Sequence, residues 1–577
     1  MMTRKALLAL VLPLSFSSAF ARVQMIPEAD QIIKEANTST PKFVLKNAKG
    51  TAMEKLFETT PANWFNLSPS DGAEGVRTEE AYKEFGIPLA DDIIVAVVDS
   101  GVDVNHEDLQ GKIWVNEDEI ADNGIDDDNN GYIDDVFGWS FIGGSKGMAK
   151  IVKDDTLANG YRLIKGDPQY QIAGDSLEVT RELVRMKKLK GEVEELGEQL
   201  TPTQADYLAK LQKEVGDNIQ NARNVVNTYT QTLANYKKQE AILLAAGVTE
   251  ITLENVRALQ SDDPAVKAAQ KEMISLLSRN LGLARINKVL KAYQDKLDFQ
   301  YNENFNPRSI VGDNYLNPNE RIYGNNDVFG ADPFHGTHVS GSIAANRENS
   351  IGIKGVASRV KIMAVRVVPN GDERDKDVAN GIRYAVDNGA RIINMSFGKA
   401  YSPYKKVVDE AVRYAESKGV LLVHAAGNDS KNNDLVPSFP TKVSRADGSE
   451  ASNWLEICAT SYKKGATLAA SFTNYGKKSV DFCAPGVDIL STTPDNTYQT
   501  ASGTSMATPT TAGVAALVLS HNPGLNAQSL KELLHDTSRR YPGLNVTLPG
   551  SISTVPFTRL SLSGSIVDAF EAIKATK

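Results

Sequence analysis

Four residues in this chain have the side chains and settings that acyl-transfer chemistry needs. Asp99 follows an apolar run in Val98-Asp99-Ser100-Gly101, and His335 opens His335-Gly336-Thr337-His338-Val339-Ser340-Gly341. Asn428 ends Ala425-Ala426-Gly427-Asn428, and Ser505 lies within Gly503-Thr504-Ser505-Met506-Ala507-Thr508-Pro509. A serine hydroxyl is a weak nucleophile and needs a base within hydrogen-bond reach. Histidine suits that task near neutral pH. A carboxylate must hold the imidazole in the right tautomer and stabilise its cation. The tetrahedral intermediate needs donors aimed at its oxyanion. A serine at a helix N-terminus offers its own backbone N–H there, and Asn428 offers a side-chain N–H. Taken singly, Asp99 and Asn428 also fit ordinary turns and Ser505 an ordinary N-cap. Taken together, the four supply a nucleophile, a base, its orienting carboxylate and an oxyanion donor. His338 reads as structural.

These residues need a scaffold, and the flanking pattern supplies one. Ile93–Val98, Lys361–Val368, Arg391–Met395 and Val420–Ala425 are continuous apolar runs. Helical periods fall between them, in Lys376–Asn388 and Tyr404–Lys418. Such alternation predicts an α/β fold, a parallel sheet with helices on both faces. In these sheets ligands bind at the carboxyl ends of the strands, where Asp99 and Asn428 both sit. Glycines beside His335 and Ser505 permit close backbone approach.

The order Asp, His, Ser with these flanks resembles the subtilisin-like serine peptidases. The resemblance covers residues 62–144 and 312–577, and Gly564–Lys577 resembles the helix that closes the family's catalytic domain. It implies Asp99, His335 and Ser505 as a triad and Asn428 in the oxyanion hole. It further implies that a polypeptide substrate binds as an added strand. Ser396-Phe397-Gly398 would be the pairing edge, with Ala425-Ala426-Gly427 as the opposite wall of the first pocket. Small residues on both walls predict a roomy apolar pocket, with its floor in the region Pro440–Trp454. One departure is Thr508-Pro509-Thr510-Thr511, where the family usually has Ser-Pro-His-Val.

Two metal sites are expected. Asp126, Asp128, Asn130 and Asp134 occupy positions one, three, five and nine of a calcium-loop pattern, with Gly131 at six. Position twelve is Phe137 rather than glutamate, so the loop is no ordinary EF-hand. The family resemblance alone implies a second structural Ca²⁺, held by Asp108 and Asn349 with the carbonyls of Arg347, Ile351 and Ile353.

Residues 145–311 break the α/β pattern. Met186, Leu189, Val193, Leu196 and Leu200 form one apolar stripe, and Leu208, Leu211, Val215, Ile219, Ala222, Val226, Tyr229, Leu233 and Tyr236 a second. Thr201-Pro202-Thr203-Gln204 between them reads as a capping box. This predicts an all-α helical-hairpin insertion, self-packed and protruding, with a further helix from Asp263-Pro264 towards Gln300. Such an insertion could dock a protein partner or gate the cleft.

The 577 residues carry a net charge of −9, which disfavours nucleic acid as a partner. Residues 1–21 read as a secretory signal peptide ending in Ala19-Phe20-Ala21, which makes the chain secreted or periplasmic. The apolar run there is too short to span a membrane, and no stable membrane anchor is expected. Residues 22–61 form an N-terminal extension in a propeptide's position. Cys458 and Cys483 fit a disulfide or two buried thiols equally well. Exported serine endopeptidase is the leading function. A catalytically silent binding module and an interaction protein acting through the insertion are the rivals.

Overall fold

The computed structural model describes residues 60–577. Residues 1–21, expected as a signal peptide, and nearly all of the extension 22–61 lie outside the described residues.

A nine-stranded sheet organises the chain. Its strands are β1 (Ile93–Asp99), β2 (Gly138–Ser140), β3 (Val360–Arg366), β4 (Ile392–Met395), β5 (Leu421–Ala425), β6 (Trp454–Thr460), β7 (Phe482–Pro485), β8 (Arg539–Arg540) and β9 (Ser565–Ile566). Their spatial order is β8-β9-β7-β6-β5-β4-β1-β3-β2. All neighbours run parallel except β8 and β9. Residues on both faces of β1 are buried, which is why its sequence is continuously apolar instead of alternating. Burying each such valine contributes about 1.5–3 kcal/mol.

Helices cover both faces. In the insertion lie α1 (Glu178–Glu195), α2 (Pro202–Ala245), α3 (Pro264–Ser278) and α4 (Leu283–Asp295). Beyond it come α5 (Phe334–Ala344), α6 (Asp375–Asp387), α7 (Lys405–Ser417) and α8 (Thr504–His521). Val339 and Ile343 of α5 and Val514 to Leu519 of α8 join one core with Val95 and Val97. Val378 and Ile382 of α6 and Val408 and Val412 of α7 join the other, with Ala96 and Val98. The chain passes from β1 to β2 and β3 on one side, then crosses to β4 on the other. Asp99 therefore ends the strand at which the sheet changes direction.

The helices expected within residues 145–311 are present and more divided than a simple hairpin, but the segment is not all-α as expected: Lys150–Lys153 and Tyr161–Ile164 pair as an antiparallel hairpin, and Ile151 and Leu163 join the core of the main sheet. The Thr201–Gln204 capping box starts α2, which runs for 44 residues. Only its first third packs on α1, through Leu183, Met186, Leu208, Leu211 and Val215. Farther out, Tyr236 and Leu243 pack instead on Ala269, Met273, Leu276 and Ile286 of α3 and α4. The single helix expected from Pro264 is split in two, because the chain turns at Asn280, whose φ is 58°.

Cys458 and Cys483 face each other in register on β6 and β7, both fully buried, and are joined as a disulfide. Among the described residues no helix is long and apolar enough to cross a membrane.

Candidate active site

Three elements converge at the carboxyl end of β1. Asp99 is 1% exposed, and its Oδ1 accepts the Ser100 N–H at 2.7 Å while facing His335 Nδ1 at 2.8 Å. That contact places the proton of neutral His335 on Nδ1 and leaves Nε2 as the acceptor. Burial penalises the imidazolium, but the Asp99 charge outweighs that penalty, and the His335 pKa is raised above its ordinary value. Gly336 permits the approach. A β-carbon there would lie 2.1 Å from the Gly101 carbonyl oxygen and 3.2 Å from the Asp99 β-carbon. His338 lies on the same helix but points elsewhere. It meets the carbonyls of Ile489 and Gln499 at 3.0 and 3.1 Å, and burial, followed by the charge of His335, lowers its pKa to about 4.

Ser505 occupies the first turn of α8, where backbone N–H groups have no partner inside the helix. Its hydroxyl donates to the Ser396 carbonyl at 3.1 Å, and the Ser396 hydroxyl donates back to the Ser505 carbonyl at 3.0 Å. Ser396, the hydrogen-bond partner of Ser505, and His335 line one cavity of about 250 Å³. Asn428 Oδ1 accepts the Thr504 backbone N–H at 2.8 Å and the Thr504 hydroxyl at 3.1 Å. A backbone N–H can only donate, so this bond fixes the orientation of the amide and leaves Nδ2 as its free end. Asn428 is solvent-exposed.

The predicted substrate segments stand side by side. Gly398 is exposed, while Ala425 and Ala426 are buried. Ser438 Oγ lies close to both segments: a β-carbon on Gly398 would meet it at 2.7 Å, and one on Gly427 at 3.6 Å. The chain reaches this point because Lys399 and Phe439 exchange backbone hydrogen bonds. The sequence carries no periodic signal for that long-range pairing.

The side chains of the acidic loop shape its own turn. Asp126 accepts the N–H groups of Asn130 and Gly131, and Asp134 those of Asn123 and Gly124, so both carboxylates hold the loop's own backbone. Asn130 Oδ1 likewise accepts the Tyr132 N–H. Of the predicted ligands, only Asp128 joins a carboxylate cluster, with Glu119 and Asp135, whose candidate ligand oxygens lie within 4.8 Å of one another. Burial is the largest effect on both partners, raising Glu119 to about 7 and Asp135 to about 6. The polar partners of the three are amides, backbone N–H groups and the Tyr384 hydroxyl. An all-oxygen carboxylate set without a cationic partner suits a hard cation. The second expected pair is also brought together. Fully buried Asp108 accepts the Asn349 amide at 2.7 Å and the Ile353 N–H at 3.0 Å, and burial raises its pKa.

Comparison with known proteins shows the family. Residues 90–548 match the subtilase family, Peptidase S8. Thermitase of Thermoactinomyces vulgaris is 39% identical over 210 residues, covering 36% of this chain and 68% of that protein. A thermophilic serine proteinase of Bacillus sp. (strain AK1) is 38% identical over 210 residues, 36% of this chain and 48% of that protein. Subtilisin Savinase of Lederbergia lenta is 36% identical over 226 residues, 39% of this chain and 77% of that protein. A solved cold-adapted subtilisin-like serine proteinase is 30% identical, covers 41% of this chain and 77% of its own, and has a TM-score of 0.33. With a match that takes in most of its length, the chain belongs to the subtilase family and is a serine endopeptidase of the subtilisin-like type.

Proposed function

We propose that the chain is an exported endopeptidase that cleaves polypeptides through Asp99, His335 and Ser505, with Asn428 in the oxyanion hole. The Asp99–His335 contact, which leaves His335 Nε2 as a base facing the cleft, carries this reading. Rotation of the Ser505 hydroxyl away from the Ser396 carbonyl aims it at that base. Oγ then attacks the scissile carbonyl carbon as its proton passes to Nε2. The oxyanion takes hydrogen bonds from the Ser505 N–H and Asn428 Nδ2. Collapse of the intermediate breaks the C–N bond, and the imidazolium gives its proton to the leaving amine. Water, deprotonated by Nε2, cleaves the acyl-enzyme by the same route in reverse.

Calcium fits the Glu119–Asp128–Asp135 cluster and the Asp108–Asn349 pair as a structural ion, neutralising buried carboxylates and taking no part in the reaction. The outer helices of the insertion, α3 and α4 with the far half of α2, are read as a gate or docking element for proteins. Export rests on residues 1–21. The deciding experiment is labelling with a fluorophosphonate. Covalent modification at Ser505, absent in Ser505→Ala together with proteolysis, supports the endopeptidase. A folded protein that takes no label and cleaves no peptide would be the silent binding module instead.

A further inference from the structure

The cavity beside His335 is not built by the catalytic body alone. Its lining includes His335, Val368, Ser396 and Phe397, and also Ile172 and Ala173 from the insertion. These two residues run along the cleft rim between two isolated backbone bridges, Gln171 with Gly143 and Gly174 with Asn370. Ile172 donates its N–H to the Ile142 carbonyl at 3.0 Å, and Gly174 pairs with Asn370 in parallel. The Asp175 N–H reaches the Asn370 carbonyl at 3.1 Å. A β-carbon on Gly371 would lie 2.1 Å from the Asp175 carbonyl oxygen, so the two segments touch.

Arg366 clamps this segment to the triad. It is 1% exposed and stands directly opposite Asp99 in the β1–β3 register. Its guanidinium donates to the carbonyls of Ser100 at 2.9 Å and Ile172 at 2.8 Å, and to Gln171 Oε1 at 2.8 Å. A buried arginine spent on carbonyl and amide oxygens, next to the catalytic carboxylate and the insertion at once, fixes one against the other.

Successive side chains of an extended peptide point to opposite sides. If the residue whose carbonyl is attacked points between Ser396–Gly398 and Ala425–Gly427, its predecessor points the other way, towards His335. We propose that Ile172 and Ala173 are specificity-determining residues: the insertion supplies the outer wall of an apolar subsite for the residue preceding the one whose carbonyl is attacked. This inference rests on the endopeptidase reading. Ala173 is exposed to the cavity while Ile172 is buried behind it, so Ala173 can be changed without opening the core.

The test uses the full chain and a set of fluorogenic peptides differing only at that position, with Gly, Ala, Leu, Phe or Arg. The unaltered protein should prefer Leu or Phe over Gly by about tenfold or more in kcat/KM, the discrimination one apolar pocket gives. Ala173→Phe, which fills the cavity, should lower the Leu-to-Gly ratio by about tenfold. Ala173→Glu should raise the Arg-to-Leu ratio. Ratios within about twofold of the unaltered protein in both variants would overturn the proposal, while leaving the endopeptidase reading intact. An unaltered protein that cleaves none of the peptides and takes no fluorophosphonate would instead overturn the reading beneath it.

Discussion

Glu178→Gln isolates the contact that docks the insertion on the cleft. Glu178 opens α1 and is fully buried. Its carboxylate meets Arg181 at 2.5 Å, Arg185 at 2.9 Å and Lys399 at 3.7 Å. Lys399 immediately follows Ser396-Phe397-Gly398, so this one carboxylate links the first insertion helix to the proposed substrate edge. Burial opposes its charge, but Arg181, Lys399 and Arg185 outweigh that, and its pKa is held well below the usual carboxylate range. Removing one partner of a buried ion pair costs about 3–5 kcal/mol. Here Arg181 would keep Asp175 at 3.6 Å and Lys399 would keep Asp375 at 2.7 Å, which places the expected loss near the low end, about 3 kcal/mol. Urea unfolding in a Ser505→Ala background, where self-cleavage is excluded, measures it. A carboxylate with a depressed folded pKa contributes its stability above the unfolded pKa and loses it as pH falls below. The stability difference between the proteins with and without Glu178→Gln should thus be full at pH 7 and shrink as pH drops from about 4.5 towards 2. A loss under about 1 kcal/mol at pH 7, the size of a surface pair, would refute the docking argument. So would a loss that does not change with pH.

Asn428→Ala should lower kcat by about 10²–10³ with little change in KM, a magnitude measured for this donor in a subtilisin itself; a change confined to KM would remove Asn428 from the oxyanion hole. Because the base must be neutral and Asp99 raises its pKa, kcat/KM should climb with pH through a midpoint above 6.5, the ordinary histidine value; a midpoint below that value would contradict the Asp99 contact. Calcium at a hundredfold excess over Kd should stabilise the fold by about 2.7 kcal/mol, read as a rise in Tm. Asp128→Asn with Asp135→Asn should shrink that rise more than Asp126→Asn with Asp134→Asn, and the opposite order would restore the loop pattern read from sequence. Replacing residues 228–288 by a short Gly/Ser loop should leave peptide hydrolysis largely intact and change the cleavage of folded proteins. Equal effects on both substrates would make the outer helices a buttress.

What could be read from the sequence is what local chemistry dictates. The buried strands announce themselves as unbroken apolar runs, and the flanks of Asp99, His335, Asn428 and Ser505 are short enough to recognise in place. The Thr201 cap marks the start of α2 because the capping hydrogen bonds are made within four residues. The rest depends on residues far apart in the chain. Glu119 joins Asp128 and Asp135 only because the loop folds back so that Glu119 accepts the N–H groups of Asp127 and Asp134. The disulfide depends on β6 and β7 pairing with Cys458 opposite Cys483, which neither run reveals alone. Ser438 is brought beside Gly398 and Gly427 by a backbone pairing of the same long-range kind, between Lys399 and Phe439.

The insertion shows why periodicity is a partial guide to function. Its apolar stripes say correctly that the helices bury surface against one another, and they favour a protrusion joined at two points. They say nothing of Asp175, Glu178 and Arg181, which in sequence look like an ordinary solvated helix start but are buried. Charges are rarely buried unless paired, and these pair with Arg374 and Lys399 of the catalytic body. The insertion therefore has two parts with different physics. Its outer helices are held by their own apolar core. Its base, from Gln171 to Arg181, is held by buried charges, by the clamp of Arg366 and by backbone pairing to Asn370. A change there reaches the Ser100 carbonyl and the substrate edge through one or two hydrogen bonds. Removing the whole insertion would therefore confound the two proposed roles, gate and cleft wall, and only alterations confined to one part can separate them.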